Sequence, residues 1–259
     1  MHTFNSDGVE IAFDDQGQGP AILLIHGFAS NARVNWHGSG WVKTLLEAGR
    51  RVVTIDNRGH GESEKLYNPE LYPALTMAED ARRLLDHLGM ARADVMGYSM
   101  GARIAALLTL HHPHRIAHAV FAGLAARMIT GVGGGAAIAA GLEAPSLADV
   151  TDPTARAFRI FAEQTQSDLK ALAACMRSSR VKITAEELAR ISVPVLVVAG
   201  EKDDIAGDVA TLVAAIPGAR GITLPNRNHM NAVGDRGYKE AVIDFLRGCG
   251  FAAVEALSP

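Results

Sequence analysis

Residues 93–110 read ADVMGYSMGARIAALLTL, and the order of these residues decides the fold. The run at 93–96 is short and apolar, as in a strand buried on both faces, whereas residues 99–110 carry apolar side chains at helical spacing. The letters at the junction, GYSMG at 97–101, match the pattern G-x-S-x-G. Small residues there let a strand turn sharply into a helix and hold the Ser99 hydroxyl exposed. The stretch predicts a strand, a tight turn and a helix.

The same alternation continues on both sides of this stretch. Short apolar runs predict buried strands at residues 21–25, 51–55, 93–96, 116–121 and 193–199, and a further short strand is predicted at 221–224. Helical periodicity predicts helices at residues 41–49, 76–89, 99–110, 155–165, 168–177, 209–216 and 238–247. A turn near Asp7 and Gly8, within residues 3–15, predicts a further hairpin at the edge of the sheet. This repetition predicts an α/β fold, a mostly parallel sheet with helices on both faces.

The alternation is interrupted between residues 125 and 190. A tract rich in glycine and alanine at 131–141 comes first, and helical patterns follow it. We interpret 125–190 as a small helical cap inserted over the end of the sheet, with residues 1–124 and 191–259 forming the core. The letters GVGGGA at 131–136 also fit a relaxed dinucleotide-binding pattern. They do not follow a predicted strand, so a flexible hinge is the favoured interpretation.

Composition narrows the class of protein. The hydrophobic fraction of 48% and charged fraction of 20% are ordinary for a globular enzyme, and the formal net charge of -3 gives no electrostatic attraction for nucleic acid or an anionic membrane. No apolar stretch reaches the ~20 residues that span a bilayer, and residues 1–8 lack a charged segment followed by an apolar run. We expect a cytoplasmic protein. Cys175 and Cys249 are too few and too far apart for a disulfide framework or a thiolate metal site.

A serine hydroxyl becomes a useful nucleophile when a neighbouring histidine takes its proton. In chains that carry the motif at 97–101, the partners follow in the order serine, acid, histidine. His229, which follows the last predicted strand, is the expected base. Two aspartates follow the strand at 193–199. Asp203 is favoured as the acid, and Asp204 is the alternative that could instead cap the next helix.

Backbone N–H groups beside Ser99 would stabilise a negatively charged oxygen. Met100 N–H opens the predicted helix, and Phe28 N–H lies on the turn after the first buried strand. His26 stands on the same turn but precedes the serine, so we assign it a structural role. Arg58 and His60 are expected to brace a loop.

With these residues the chain resembles the α/β-hydrolase superfamily along essentially its whole length. The matching motifs are HGF at 26–28, DNRGHGES at 56–63, GYSMG at 97–101, GEKD at 200–203 and NH at 228–229. The resemblance implies an eight-stranded sheet, a helical cap, and hydrolysis of a small acyl substrate by water without metal or organic cofactor. Ser99, His229 and Asp203 would be catalytic, with carboxylic esters as the lead substrate class.

Other chemistries stay open at this point. Hydrolysis of carbon–carbon bonds in diketone-like compounds, lactone opening and perhydrolysis use similar residues. Haloalkane dehalogenases and epoxide hydrolases resemble the scaffold but rely on an aspartate nucleophile, and position 99 is a serine. A protein that only binds a small ligand on this fold is the non-enzymatic alternative. The oligomeric state is left open by the sequence.

Apolar side chains from the cap and from the turn after the first strand could line a substrate pocket. The candidates are Trp36, Met128, Ile129, Phe158, Phe161 and Met176. Histidines 111, 112, 114 and 118 cluster in sequence, but they follow a helix end and no cysteine or carboxylate lies among them, so no metal site is predicted.

Overall fold

The computed structural model describes residues 1–178 and 181–248, which form an eight-stranded sheet with helices on both faces. The strands are β1 (His2–Ser6), β2 (Val9–Gln16), β3 (Ala21–Ile25), β4 (Arg51–Ile55), β5 (Ala93–Tyr98), β6 (Ile116–Ala122), β7 (Val195–Gly200) and β8 (Arg220–Leu224). Their spatial order is β1-β2-β4-β3-β5-β6-β7-β8. The β1–β2 and β2–β4 pairs are antiparallel and the others are parallel. The predicted α/β class is confirmed.

Five helices flank the sheet. They are α1 (Trp41–Glu47), α2 (Ala74–His87), α3 (Met100–His111), α9 (Val209–Ala215) and α10 (Arg236–Leu246). Each lies where helical periodicity predicts one. Asp208 and Asp235 cap α9 and α10 by accepting hydrogen bonds from backbone N–H groups of the first turn. The predicted edge hairpin is also present, with Asp7 and Gly8 in its turn at φ of 56° and 87°.

The two faces of the sheet bury different apolar clusters, because successive strand residues point to opposite sides. On β3, Leu23 and Ile25 join the cluster that also contains α2 and α3 residues. Ile22 and Leu24 join the second cluster, which contains residues of α1 and α10. Such runs, apolar at every position, are typical of parallel strands covered on both sides.

Between β6 and β7 the described residues form a short 3-10 helix at Leu147–Asp149 and five α-helices, which we call the cap helices. They are α4 (Arg127–Thr130), α5 (Gly135–Glu143), α6 (Pro153–Gln164), α7 (Leu169–Arg177) and α8 (Ala185–Leu188). Helix α5 packs against α6 and α7, and buried residues of these helices extend the cluster on the α2 and α3 face. The cap helices therefore continue the apolar core on that face of the sheet.

The glycine-rich tract differs from the prediction. Residues 131–134 are not helical, but the rest of the tract forms α5, where Ile138 and Leu142 are buried. Tertiary packing of these side chains stabilises the helix against the low helix propensity of glycine. The element before the tract is α4, a helix, so the strand that a dinucleotide-binding turn requires is absent at this position.

Two further features complete the description. No helix within residues 1–178 or 181–248 is both long enough and apolar enough to cross a membrane. Cys175 is buried in α7, as expected for a small core residue, and Cys249 lies outside the described residues.

Candidate active site

Ser99 stands on the tight turn between β5 and α3, with φ of 55° and ψ of −115°. This conformation is rare for a residue with a side chain and costs on the order of 1–3 kcal/mol. The turn is held by close packing, since a methyl group built on Gly101 would overlap the carbonyl oxygen of Ile25. Glycine at this position lets the first turn of α3 lie directly against the end of β3, and the serine side chain is presented above the sheet.

Ser99, His229 and Asp203 form one chain of hydrogen bonds. His229 Nδ1 lies 2.9 Å and 3.0 Å from the two carboxylate oxygens of Asp203, and Nε2 lies 3.0 Å from Ser99 Oγ. With a proton on Nδ1 directed at the carboxylate, Nε2 is left to accept the serine proton. The structure thus brings together all three residues that the sequence placed in these roles.

Asp203 follows β7 and its side chain is inaccessible to solvent. Its Oδ1 also accepts hydrogen bonds from the backbone N–H groups of Ile205 and Ala206, at 3.0 Å and 2.9 Å. These bonds fix the carboxylate and compensate part of its desolvation. Asp204 is exposed and does not cap α9, because Asp208 occupies that position.

The loop that carries His229 is fastened from two sides. Asn228 Oδ1 accepts from the N–H groups of Met230 and Asn231, both at 3.0 Å. Tyr98, the residue before Ser99, donates its hydroxyl to the carbonyl oxygen of His229 at 2.6 Å. Burial, and then the nearby charge of Asp203, raise the pKa of Tyr98, so its hydroxyl stays protonated and remains a donor.

The turn after β3 is organised by His26. The backbone N–H of Asn57 donates to His26 Nε2 at 2.9 Å, so the proton is on Nδ1 and is donated to the Gly27 carbonyl at 2.7 Å. Burial lowers the pKa of His26 to about 4, which keeps the ring neutral. Asn35, in the π-helix Arg33–His37, accepts from Gly27 N–H at 3.0 Å. The structural role expected for His26 agrees with these contacts.

Phe28 N–H and Met100 N–H, the expected oxyanion donors, lie on segments that adjoin Ser99. A Cβ built on Gly27 would lie 3.4 Å from the Cβ of Ser99, which puts the turn after β3 against the serine turn. Met100 is the first residue of α3, where backbone N–H groups carry the positive end of the helix dipole. This corner favours a negatively charged oxygen.

Two contacts connect α6 to the same turn. Ala29 has φ of 58°, and its carbonyl oxygen accepts from Thr165 Oγ1 at 2.9 Å. The ring of Phe158 meets the ring of Phe28 edge-on, with centroids 5.7 Å apart. The cap helices therefore support the turn that carries Phe28 N–H.

A cavity of about 100 Å³ opens beside Ser99 beneath the cap helices. The side chains around it are mostly apolar, and they include Phe28, Met77, Met100, Leu124, Ile138, Phe158, Cys175 and Met176. Two of the six pocket candidates from the sequence, Phe158 and Met176, are among them.

The other four candidates lie elsewhere. Met128 is fully buried, while Ile129 and Phe161 are partly buried and pack against the same apolar cluster. None of these three lines the cavity. Trp36 is fully buried in the cluster on the opposite face of the sheet, because the π-helix turns its ring away from Ser99.

Arg58 braces the loop after β4, as expected. Its guanidinium forms two hydrogen bonds of 2.7 Å to the buried carboxylate of Asp80 and one of 2.8 Å to the Leu71 carbonyl. His60 is buried against Phe28, and burial lowers its pKa to about 3.

The histidines that cluster in sequence at the end of α3 and beyond it contact different partners. His112 Nε2 contacts Glu79 at 2.5 Å and His118 Nδ1 contacts Asp94 at 2.8 Å. Across the described parts of the chain, no group of three or more His, Cys, Asp or Glu residues is placed to hold a metal ion.

Sequence reasoning missed three residues that hold the site. Tyr98 contacts the His229 loop, Asn35 contacts Gly27, and Thr165 contacts Ala29. Each acts through a contact that only folding creates. The one available signal was the position of Tyr98 inside the motif, next to the serine.

Comparison with known proteins finds a family match over part of the chain and structures of the same fold over nearly all of it. A family model described as the alpha/beta hydrolase fold matches residues 20–137. A non-heme bromoperoxidase of Mycobacterium tuberculosis is 38% identical over 112 residues, which make up 43% of this chain and 41% of that protein. A hydrolase of known structure from Pseudomonas aeruginosa is 28% identical, with a TM-score of 0.78, over 95% of this chain and 97% of its own. Residues 20–137 thus match the α/β-hydrolase family, and the chain has the α/β-hydrolase fold.

A second α/β hydrolase of known structure superimposes over the whole fold. The enol-lactonase from Burkholderia xenovorans covers 95% of this chain and 100% of its own, with a TM-score of 0.80 and 24% identity. At that identity the likeness concerns the fold alone. The alignment with the bromoperoxidase spans about two fifths of the length of that protein.

Proposed function

We propose that this α/β hydrolase is a serine hydrolase that cleaves a carboxylic ester, or a related acyl bond, through an acyl-enzyme. The observation that carries the proposal is the hydrogen-bonded chain from Ser99 through His229 to Asp203, which ends in a carboxylate that solvent does not reach. A buried carboxylate that orients an imidazole against a serine hydroxyl is the arrangement that activates serine for attack on a carbonyl.

In the first half of the cycle, Ser99 Oγ attacks the carbonyl carbon while His229 Nε2 takes the serine proton. Asp203 stabilises the imidazolium that forms. The N–H groups of Phe28 and Met100 bind the oxygen on which negative charge develops. The tetrahedral intermediate then collapses, the bond to the leaving group breaks, and His229 gives the proton to the departing oxygen.

In the second half, water attacks the carbonyl carbon of the acyl group that is bound to Ser99 Oγ. His229 removes a proton from this water and returns it to Ser99 Oγ when the carboxylic acid departs. One water is consumed, and no electrons are transferred. The substrate is a small molecule, because the cavity beside Ser99 has a volume of only about 100 Å³.

The neutral state of His26 supports the choice of His229 as the base. His26 uses both ring nitrogens within the protein, Nδ1 toward the Gly27 carbonyl and Nε2 toward Asn57 N–H, so neither one is available to a substrate. His229, by contrast, has one nitrogen directed at the serine. A protein that only stored a ligand would not need the strained conformation of Ser99 or the alignment of three polar residues.

The test is a panel of p-nitrophenyl esters, lactones and diketones, assayed with the wild type and with Ser99→Ala and His229→Ala. We expect ester hydrolysis in the wild type and a fall in kcat on the order of 10⁴ or more in each variant, with the fold unchanged. Turnover of diketones or lactones in place of esters would redirect the substrate class. Full activity in either variant would remove the assignment.

A further inference from the structure

The polar side chains that line the cavity beside Ser99 differ in whether their hydrogen bonds are already made. Tyr72 donates its hydroxyl to the Leu66 carbonyl at 2.6 Å. Arg103 donates to the Met128 and Val181 carbonyls at 3.3 Å and 3.0 Å. Both side chains donate hydrogen bonds to backbone carbonyl groups, so these bonds stabilise the protein's own structure.

Ser178 is different. It follows the last residue of α7, lines the same cavity, and is 8% exposed. Its backbone N–H donates to the Ala174 and Cys175 carbonyls at 3.2 Å, but its Oγ has no hydrogen-bond partner among the described residues. A buried hydroxyl without a partner destabilises the fold, because it loses its hydrogen bonds to water and gains none in return. Such a group in a native protein calls for an explanation, and a ligand group is one.

The rest of the cavity limits what that ligand can be. Its volume of about 100 Å³ lies below the roughly 300–1,000 Å³ of pockets for larger ligands. Apolar side chains from Met77, Ile138, Phe158 and Met176 line the same cavity as the two serines. A chain of a few carbon atoms therefore fits, and its hydrogen-bonding atoms must meet the few polar groups available.

We propose that Ser178 Oγ is a specificity determinant that hydrogen-bonds an oxygen substituent on the acyl chain. The preferred substrates are then esters of short hydroxy- or oxo-carboxylic acids. This inference rests on the proposed function, because it takes the scissile carbonyl to lie at Ser99. A site built to hydrogen-bond a substrate oxygen disfavours the analogue that lacks it, since the protein hydroxyl then stays buried and unpaired.

The experiment compares two p-nitrophenyl esters that differ in one oxygen, the butyrate and the 3-hydroxybutyrate. For the wild type we expect kcat/KM to favour the hydroxylated ester about tenfold, from one hydrogen bond. Ser178→Ala should remove this preference by lowering kcat/KM for the hydroxylated ester. Ser178→Thr, which keeps a hydroxyl, should retain the preference.

Thr154→Val is the matched control, because Thr154 also lines the cavity but is exposed and can bond to water. This variant should keep the wild-type preference. The inference is overturned if the wild type does not distinguish the two esters, or if Ser178→Ala lowers kcat/KM for both esters equally. Failure of the wild type to hydrolyse either ester would instead remove the proposed function, and this inference with it.

Discussion

The hydroxyl of Tyr98 should contribute to catalysis although it does not line the cavity. Tyr98→Phe removes the 2.6 Å hydrogen bond to the His229 carbonyl and keeps the ring that packs beside the imidazole, 5.4 Å away between centroids. Loss of this bond leaves a carbonyl without its partner, which destabilises the fold by about 1–2 kcal/mol. It also releases one of the contacts that place His229 Nε2 at 3.0 Å from Ser99 Oγ.

Misplacement of a catalytic group by about 1 Å can lower a rate by about a hundredfold. His229 keeps its contacts to Asp203 in Tyr98→Phe, so the shift is smaller and we expect kcat to fall by about tenfold. KM should stay near the wild-type value, because Tyr98 is absent from the cavity lining. Steady-state hydrolysis of p-nitrophenyl acetate gives kcat and KM, and urea unfolding gives the stability.

Tyr238 provides the matched control. It is fully buried, whereas Tyr98 is 6% exposed, and the Tyr238 hydroxyl has no hydrogen-bond partner among the described residues. Tyr238→Phe should leave kcat unchanged and leave the stability unchanged or slightly increased. A wild-type kcat in Tyr98→Phe, or an equal fall in both variants, would refute the argument that the bond to the His229 carbonyl positions the base.

Three further predictions follow from the geometry. Gly101→Ala should abolish activity and lower the yield of folded protein on expression, because its methyl group would overlap a β3 carbonyl; a folded, active variant contradicts this packing. Asp203→Asn should reduce kcat about 10⁴-fold while Asp204→Asn stays near wild type in the ester assay, and the reverse result would exchange their roles. His26 and His60 have pKa values lowered to about 4 and about 3, below the ordinary 6.5, so the unfolded chain binds their protons first. The stability contributed by the neutral forms of these two histidines should be fully present above pH 6.5, and the urea midpoint should fall as the pH is lowered toward 4 and then 3. Equal urea midpoints at pH 7 and pH 4.5 would contradict this.

Much of the fold was predictable because its strands are buried on both faces. The run at β3 is apolar throughout, the run at β4 is apolar apart from Arg51 and Thr54, and the predicted bounds of both match the structure. A five-residue apolar run bounded by turn residues allows few other readings. Helix α5 was harder, since glycine disfavours a helix locally and the packing of Ile138 and Leu142 that stabilises it is tertiary.

The candidate site likewise has one part that the sequence predicts and another that it does not. Ser99, His229 and Asp203 were predictable because chain order and local turns fix them. The cavity was not, because its walls depend on the side to which each cap helix turns. Trp36 follows the turn of Phe28 closely in sequence, yet the π-helix directs its ring to the other face of the sheet. Ser178 carries no motif, and only its unpaired, buried hydroxyl draws attention to it.

The central claim is that Ser99 is an activated nucleophile. Its most direct test is reaction with a fluorophosphonate probe, followed by intact mass measurement, on the wild type and on Ser99→Ala. The account predicts one adduct on the wild type and none on the variant. A folded wild-type protein that forms no adduct, or a variant that is labelled equally well, would contradict it.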